Sequence, residues 1–152
     1  MSYTKIATIF ADSEQLGGKE VTVGGWARTI RDMKNFGFIE LNDGSCFKNL
    51  QIVLSEENVP NYRELVRRIG VGASLTATGT LIPTPEMKQP FELQATSLEV
   101  LGESPADYPL QKKRHTLEYL RTIAHLRPRA NLFQCAYRIR SVAAQAVHRF
   151  FH

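Results

Sequence analysis

The sequence is short of the features that mark membrane, secreted or catalytic chains. No apolar run nears the roughly 20 residues that a bilayer-spanning helix needs, and the opening MSYTKIATIF lacks the basic stretch, long apolar stretch and cleavage site of a secretory leader. The expectation is a cytoplasmic protein without a membrane partner. There are only two cysteines, Cys46 and Cys135, far apart and without Cys or His at metal-ligand spacing. That argues against a disulfide framework and a zinc site. His148 and His152 stand one helical turn apart but have no visible third ligand. There is no Gly-rich phosphate loop and no nucleophile signature. Asp12, Glu14, Asp32 and Asp43 form no convincing acid–base pair. No catalytic residue, metal or cofactor is expected in this chain.

What is present is an ordinary globular composition on 152 residues, 43% hydrophobic and 22% charged. The net charge of +4 conceals a split. Residues 1–107 carry 10 Lys and Arg against 14 Asp and Glu, whereas residues 108–152 carry 9 against 1. A mildly acidic body followed by a basic tail suggests two units with different roles, and basic segments often face nucleic acid.

Residues 1–18 read as a helical or irregular lead-in that Gly17-Gly18 ends. Alternation then predicts five strands: Glu20 to about Ile30, Phe36 to Asn42, about Phe47 to Leu54, Ala73 to Leu81, and Phe91 to about Leu101. Gly24-Gly25 inside the first strand suggests a bulge or sharp coil. Arg31 to Asn35 reads as a polar loop, and Asp43-Gly44 as a hairpin turn. Between the third and fourth strands, Tyr62, Leu65, Val66 and Ile69 share one face of a helix spanning Asn61 to Ile69. A three-strand meander, a short helix and a final hairpin make the layout of a mainly β, five-stranded OB-fold barrel.

Pro105 and Pro109 mark a linker from Glu103 to Pro109. Thr116 can cap a helix to about Leu126, which Pro128 stops. From Asn131 a longer pattern places Ile139, Val142, Ala143, Ala146, Val147 and Phe150 on one apolar stripe. The expected organisation is a barrel domain over 1–103, a hinge over 104–130 and a helix over 131–152. The stripe runs to the last residues without a cap, so the sequence reads as a piece of a longer protein.

Strand alternation also sorts the faces. Gly37, Ile39 and Leu41 go to the core, and Phe36, Phe38 and Glu40 go out. Leu50, Ile52 and Leu54 go in, leaving Gln51 out; Leu75, Ala77, Gly79 and Leu81 go in, leaving Thr76, Thr78 and Thr80 out. Phe91, Leu93 and Ala95 go in, leaving Glu92 out. One outer face thus carries Phe36 and Phe38 beside Gln51 and Glu92, with Arg28, Arg31 and Lys34 on or just after the neighbouring strand. Exposed aromatics suit base stacking, amide and carboxylate groups suit base edges, and the cations suit phosphates. The face is therefore expected to bind single-stranded nucleic acid, against the plainer readings of covered rings, an idle Gln51, an ion-paired Glu92 and a solvated basic loop.

The runs VTVGGWARTIRD (21–32), FGFIELNDGSCF (36–47), LQIVL (50–54) and YPLQKKRHTLEYLRTIAHLRPRANL (108–132) resemble the asparaginyl-tRNA synthetase family, a class IIb group. The last run is the more specific, because aspartyl and lysyl relatives share the barrel layout and the aspartyl ones carry a different hinge. The resemblance implies that the barrel binds the tRNA anticodon. It implies that Phe38 stacks on an anticodon base, Gln51 reads the central uridine, Glu92 helps read the first base, and Arg28 and Arg31 lie against RNA. It implies a longer homodimeric ligase that attaches asparagine to tRNA with ATP and Mg2+, through motifs lying beyond His152. This chain alone is then expected to bind RNA without catalysis. Alternatives are the same domain of an aspartyl or lysyl enzyme, a general single-strand-binding module, and a protein-interaction barrel using Phe36 and Phe38.

Overall fold

A computed structural model describes residues 2–87 and 89–152. They fold as two compact units, Met1–Lys112 and Lys113–His152. The first is built on five strands: β1 (Glu20–Asp32), β2 (Phe36–Asn42), β3 (Leu50–Ser55), β4 (Ser74–Pro83) and β5 (Phe91–Gly102). Their order, β1-β2-β3-β5-β4, closes into a barrel. All pairings are antiparallel except β3 with β5, where Ile52 lies opposite Leu93 and Val53 opposite Gln94. Closure leaves no sheet edge open to a stray strand.

Closure depends on β1, which pairs with β4 over residues 20–26 and with β2 over residues 26–32. At the changeover Trp26 faces both Ser74 and Asn42. Gly25 is required there, because a Cβ would lie 2.6 Å from the carbonyl oxygen of Asn42. The expected sharp coil is thus present, but the bulge is elsewhere. The ladder to β4 passes through both glycines without a shift, and the extra residue is Arg28, between the Ala27–Leu41 and Thr29–Glu40 pairs. A close approach demands glycine, whereas a bulge demands only one more residue of almost any kind. A second bulge leaves Thr96 as the extra residue of β5, between the Thr78–Ser97 and Gly79–Ala95 pairs.

The inward residues of the strands are those that alternation selects. Val23, Ile39, Leu41, Leu50, Ile52, Leu75, Leu81 and Leu93 are fully buried. Short helices complete the core: α1 (Ile6–Ala11), α2 (Ser13–Leu16) and α3 (Tyr62–Arg68). Ile6 and Ile9 of α1 are fully buried, so the lead-in is part of the barrel core. On α3, Tyr62 and Val66 are buried, as is Ile69 just after it, and Leu65 packs alongside.

β1 runs on to Asp32, so Arg31 and Asp32 belong to the ladder with β2 and not to the expected loop, because both pair with β2 residues. Two further boundaries differ for local reasons. β3 starts at Leu50 and not near Phe47. The Asn42 amide donates to the carbonyls of Cys46 and Lys48, and the backbone N–H groups of Gly44 and Ser45 donate to the Asn42 and Asp43 side chains. These local bonds compete with the ladder, so Asp43-Gly44 opens a seven-residue loop over 43–49 instead of a tight hairpin. In the second unit, α4 (Leu117–Thr122) ends before Leu126. Continuing it would drive the Pro128 ring into the carbonyl of residue 124, and a 3-10 turn, Arg127–Arg129, follows. Thr116 caps α4 as expected, accepting from the Tyr119 N–H at 3.2 Å. The long helix α5 (Asn131–Phe151) leaves Ile139, Val142, Val147, Phe150 and Phe151 exposed. Among the described residues no helix is long and apolar enough to cross a membrane.

Candidate nucleic-acid interface

The outward row across β1, β2 and β3 consists of Arg31, Phe38 and Val53, which are direct partners in the two ladders. Opposed residues share a face, so the register itself sets the cation beside the ring. The Arg31 guanidinium lies over the Phe38 ring, 5.3 Å from its centroid. Phe36, 41% exposed, meets Phe38 edge-on with centroids 5.6 Å apart. Phe36 thus stays exposed, and the half-buried Phe38 keeps part of its surface open.

The next row holds Thr29, Glu40 and Gln51. Beside it, from β5, the Glu92 carboxylate accepts a hydrogen bond from the Gln51 amide at 3.2 Å. Glu40 accepts from the Asn49 amide at 3.4 Å. These groups border a cavity of about 400 Å³, lined also by Phe10, Lys48, Met87 and Gln89. Gln51 and Glu92 each retain oxygen lone pairs for a ligand, because one N–H donated to one carboxylate oxygen does not exhaust either group.

Of the seven residues singled out, the structure brings Arg31, Phe36 and Phe38 into one cluster and Gln51 and Glu92 into an adjoining one. Arg28 is half-buried in the β1 bulge, on the far side of Thr29 from the Arg31–Phe38 pair. Lys34 is at the tip of the β1–β2 loop, with a left-handed backbone at φ 72°.

Sequence reasoning missed part of the cavity wall. Phe10 is delivered by α1, whose first N–H groups donate to Asp43 and Ser45 at 2.9 Å. Lys48 sits 4.7 Å above the Phe10 ring, and Gln89 donates to the carbonyl of Asn49 at 3.2 Å. A six-residue helix is too short to show a period, and the loops bearing Lys48 and Gln89 have none. Besides Gln51 and Glu92, Glu40 was visible beforehand, as an outward residue of the second strand. Among the described residues no three His, Cys, Asp or Glu side chains gather to hold a metal ion.

This geometry can be set beside known proteins. Residues 21–101 match the tRNA anti-codon family model, described as an OB-fold nucleic acid binding domain. The asparagine–tRNA ligase of Acetivibrio thermocellus is 56% identical over 151 residues, 99% of this chain and 32% of that protein. The Clostridium botulinum asparagine–tRNA ligase is 52% identical over the same shares. The chain therefore spans about a third of the length of the curated relatives it matches. Among solved structures, the Entamoeba histolytica asparaginyl-tRNA synthetase is 30% identical, with a TM-score of 0.71 over 93% of this chain and 34% of that one. The Pyrococcus horikoshii asparaginyl-tRNA synthetase shares the fold at 18% identity, with a TM-score of 0.84 over 99% of this chain and 34% of its own. With its model matched across more than half of the sequence, this chain belongs to the tRNA anti-codon family of OB-fold nucleic acid binding domains.

Proposed function

We propose that this barrel is the anticodon-binding domain of an asparagine–tRNA ligase and that it grips the anticodon loop on its β1–β2–β3 face. The observation that carries the reading is the placing of Phe38, Gln51 and Glu92 on one outer face, with Arg31 beside the ring. Phe38 stacks on an anticodon base. Gln51, both donor and acceptor, reads the central uridine, and Glu92, an acceptor only, reads donors on the first base. Arg28, Arg31 and Lys34 hold phosphates, and Phe36 flanks the stack. The identity to asparagine–tRNA ligases supports this choice over aspartyl and lysyl enzymes.

In this reading the longer protein attaches asparagine to tRNA using ATP and Mg2+, as a cytoplasmic homodimer. The residues described here do not fit an ATP–magnesium site. No set of three metal-ligating side chains assembles among them, and the cavity beside Gln51 presents the carboxylates of Glu40 and Glu92 to any triphosphate. The present chain is accordingly expected to bind RNA and to form no adenylate.

The test is titration of a labelled anticodon stem-loop of asparagine tRNA, alongside the aspartate and lysine stem-loops and an unrelated single strand. Salt-sensitive binding that prefers the asparagine loop and is weakened by Phe38→Ala and Gln51→Ala supports the reading. Equal binding of the unrelated strand points to a general single-strand module. Absence of binding at low salt removes the RNA function from this face, and pyrophosphate exchange with asparagine and ATP by this chain overturns the expected lack of catalysis.

A further inference from the structure

The phosphate-facing loop between β1 and β2 is held from outside its own hairpin. The Asp32 carboxylate, through Oδ1, accepts the Lys34 N–H at 3.1 Å and the Tyr62 hydroxyl at 3.0 Å. Tyr62 is the first residue of α3, 30 positions later, and only 2% exposed. Its ring is therefore fixed in the core while its hydroxyl reaches the exposed loop. Gly37 provides the passage: a Cβ there would stand 2.8 Å from the Tyr62 hydroxyl and 3.1 Å from the carbonyl oxygen of Arg31. The loop also needs holding. Lys34 has φ 72°, a strained conformation for a non-glycine residue that persists only when its surroundings impose it.

We propose that the Tyr62–Asp32 hydrogen bond is a tether by which α3 holds the β1–β2 loop ready for RNA, making Tyr62 a positioning residue for Arg31 and Lys34. Tyr62 touches no RNA in this scheme. It acts through Asp32, which sets the backbone of Lys34 and immediately follows Arg31, the residue over the Phe38 ring. A loop left free must be ordered at the moment of binding, and the ordering cost is taken from affinity. The proposal rests on the RNA-binding reading given above.

The test uses the whole chain and the asparagine anticodon stem-loop, comparing wild type with Tyr62→Phe, Asp32→Asn and Asp32→Ala. Tyr62→Phe keeps the buried ring and loses only the hydroxyl. It is expected to weaken binding about fivefold and to flatten the salt dependence by roughly one phosphate contact. Asp32→Asn keeps an acceptor oxygen and should bind at least as well as wild type. Asp32→Ala has the same charge as Asp32→Asn but no acceptor, and should fall with Tyr62→Phe. Combining Tyr62→Phe with Arg31→Ala should cost less than the sum of the two single changes, whereas combining it with Phe38→Ala should be additive. A purely structural role would lower the melting temperature and leave the salt dependence unchanged. Wild-type binding with an unaltered Tyr62→Phe affinity and salt slope overturns the tether alone. No wild-type binding overturns the RNA reading and the tether with it.

Discussion

Two outer faces of the same barrel obey the same alternation and yet present opposite chemistry. On β1–β2–β3 the outward positions hold Arg31, Phe36, Phe38, Glu40 and Gln51. On β4 they hold Thr76, Thr78 and Thr80. At the centre of the threonine face the bonds are internal: the Thr22 and Thr78 hydroxyls lie 2.9 Å apart, and Thr96 donates to the carbonyl of Thr78 at 3.2 Å. The other face leaves a 41% exposed phenylalanine and a row of amide and carboxylate groups around a cavity. Both back onto one core, so folding alone does not explain the difference. β-Branched threonine is what a solvated strand prefers; exposed rings next to a guanidinium are what a stacking ligand prefers.

The comparison is broken most severely from inside. Ile39 is fully buried directly between Phe38 and Glu40 on β2. Ile39→Ala should cost about 2–5 kcal/mol of folding stability, read from denaturant midpoints, and RNA binding should be lost only in step with unfolding. Loss of binding in a variant that stays fully folded would mean that Ile39 contributes to recognition directly.

The next effect is alkaline. Burial, and then the hydrogen bond to Asp32, push the Tyr62 phenol from its ordinary 10.0 up to about 12. A raised folded value means that the stabilisation is complete below about pH 10 and is lost as pH rises toward 12, because the unfolded chain releases its proton first. Each pH unit is worth at most roughly 1.4 kcal/mol, and solvent reaching the hydroxyl at the exposed loop reduces it, so wild type should lose stability relative to Tyr62→Phe across that window, by about 1–2 kcal/mol. Parallel stability curves for the two proteins would remove the buried hydrogen-bonded phenol. The β4 strand, Ser74–Pro83, contains no ionisable side chain and offers no such handle.

Much of this was legible in the sequence because it depends on period two. Phe38 faces out and Ile39 in by alternation alone, and the register then places Gln51 beside Glu40. The helix between β3 and β4 was legible from Tyr62, Val66 and Ile69. What was not legible depends on three-dimensional meetings between distant residues. The Arg28 bulge lies two residues past Trp26, where β1 changes partners, and no residue type announces it. Asp43 was read as a turn residue, yet its carboxylate accepts the Ile6 N–H of α1 as well as the Ser45 N–H. Asp32 was weighed for acid–base chemistry and set aside, and its partner Tyr62 was read only as part of a helix face.

On the recognition face itself, Phe38→Ala should weaken stem-loop binding by about 1–3 kcal/mol, measured by fluorescence anisotropy, with little change in the salt dependence. Gln51→Ala should cost about 1 kcal/mol and reduce the preference for a central uridine over cytidine. If Gln51→Ala weakened both loops equally, the amide would be a packing group for Glu92 and not a reader of the base.

The smallest expected effect is on the opposite face. Thr78→Val keeps the β-branch that suits a strand and removes only the hydroxyl that faces Thr22. Folding stability should change by no more than about 1 kcal/mol, and stem-loop affinity should stay within about twofold of wild type. The two halves of this result have different meanings. A drop in stability alone would show that the threonine pair helps close β1 against β4, where Thr22 and Thr78 are ladder partners. A tenfold drop in RNA affinity, in a protein as stable as wild type, would show that the ligand reaches round the barrel to β4. The recognition surface would then extend beyond the aromatic face, and the chemical contrast between the faces would no longer mark its limit.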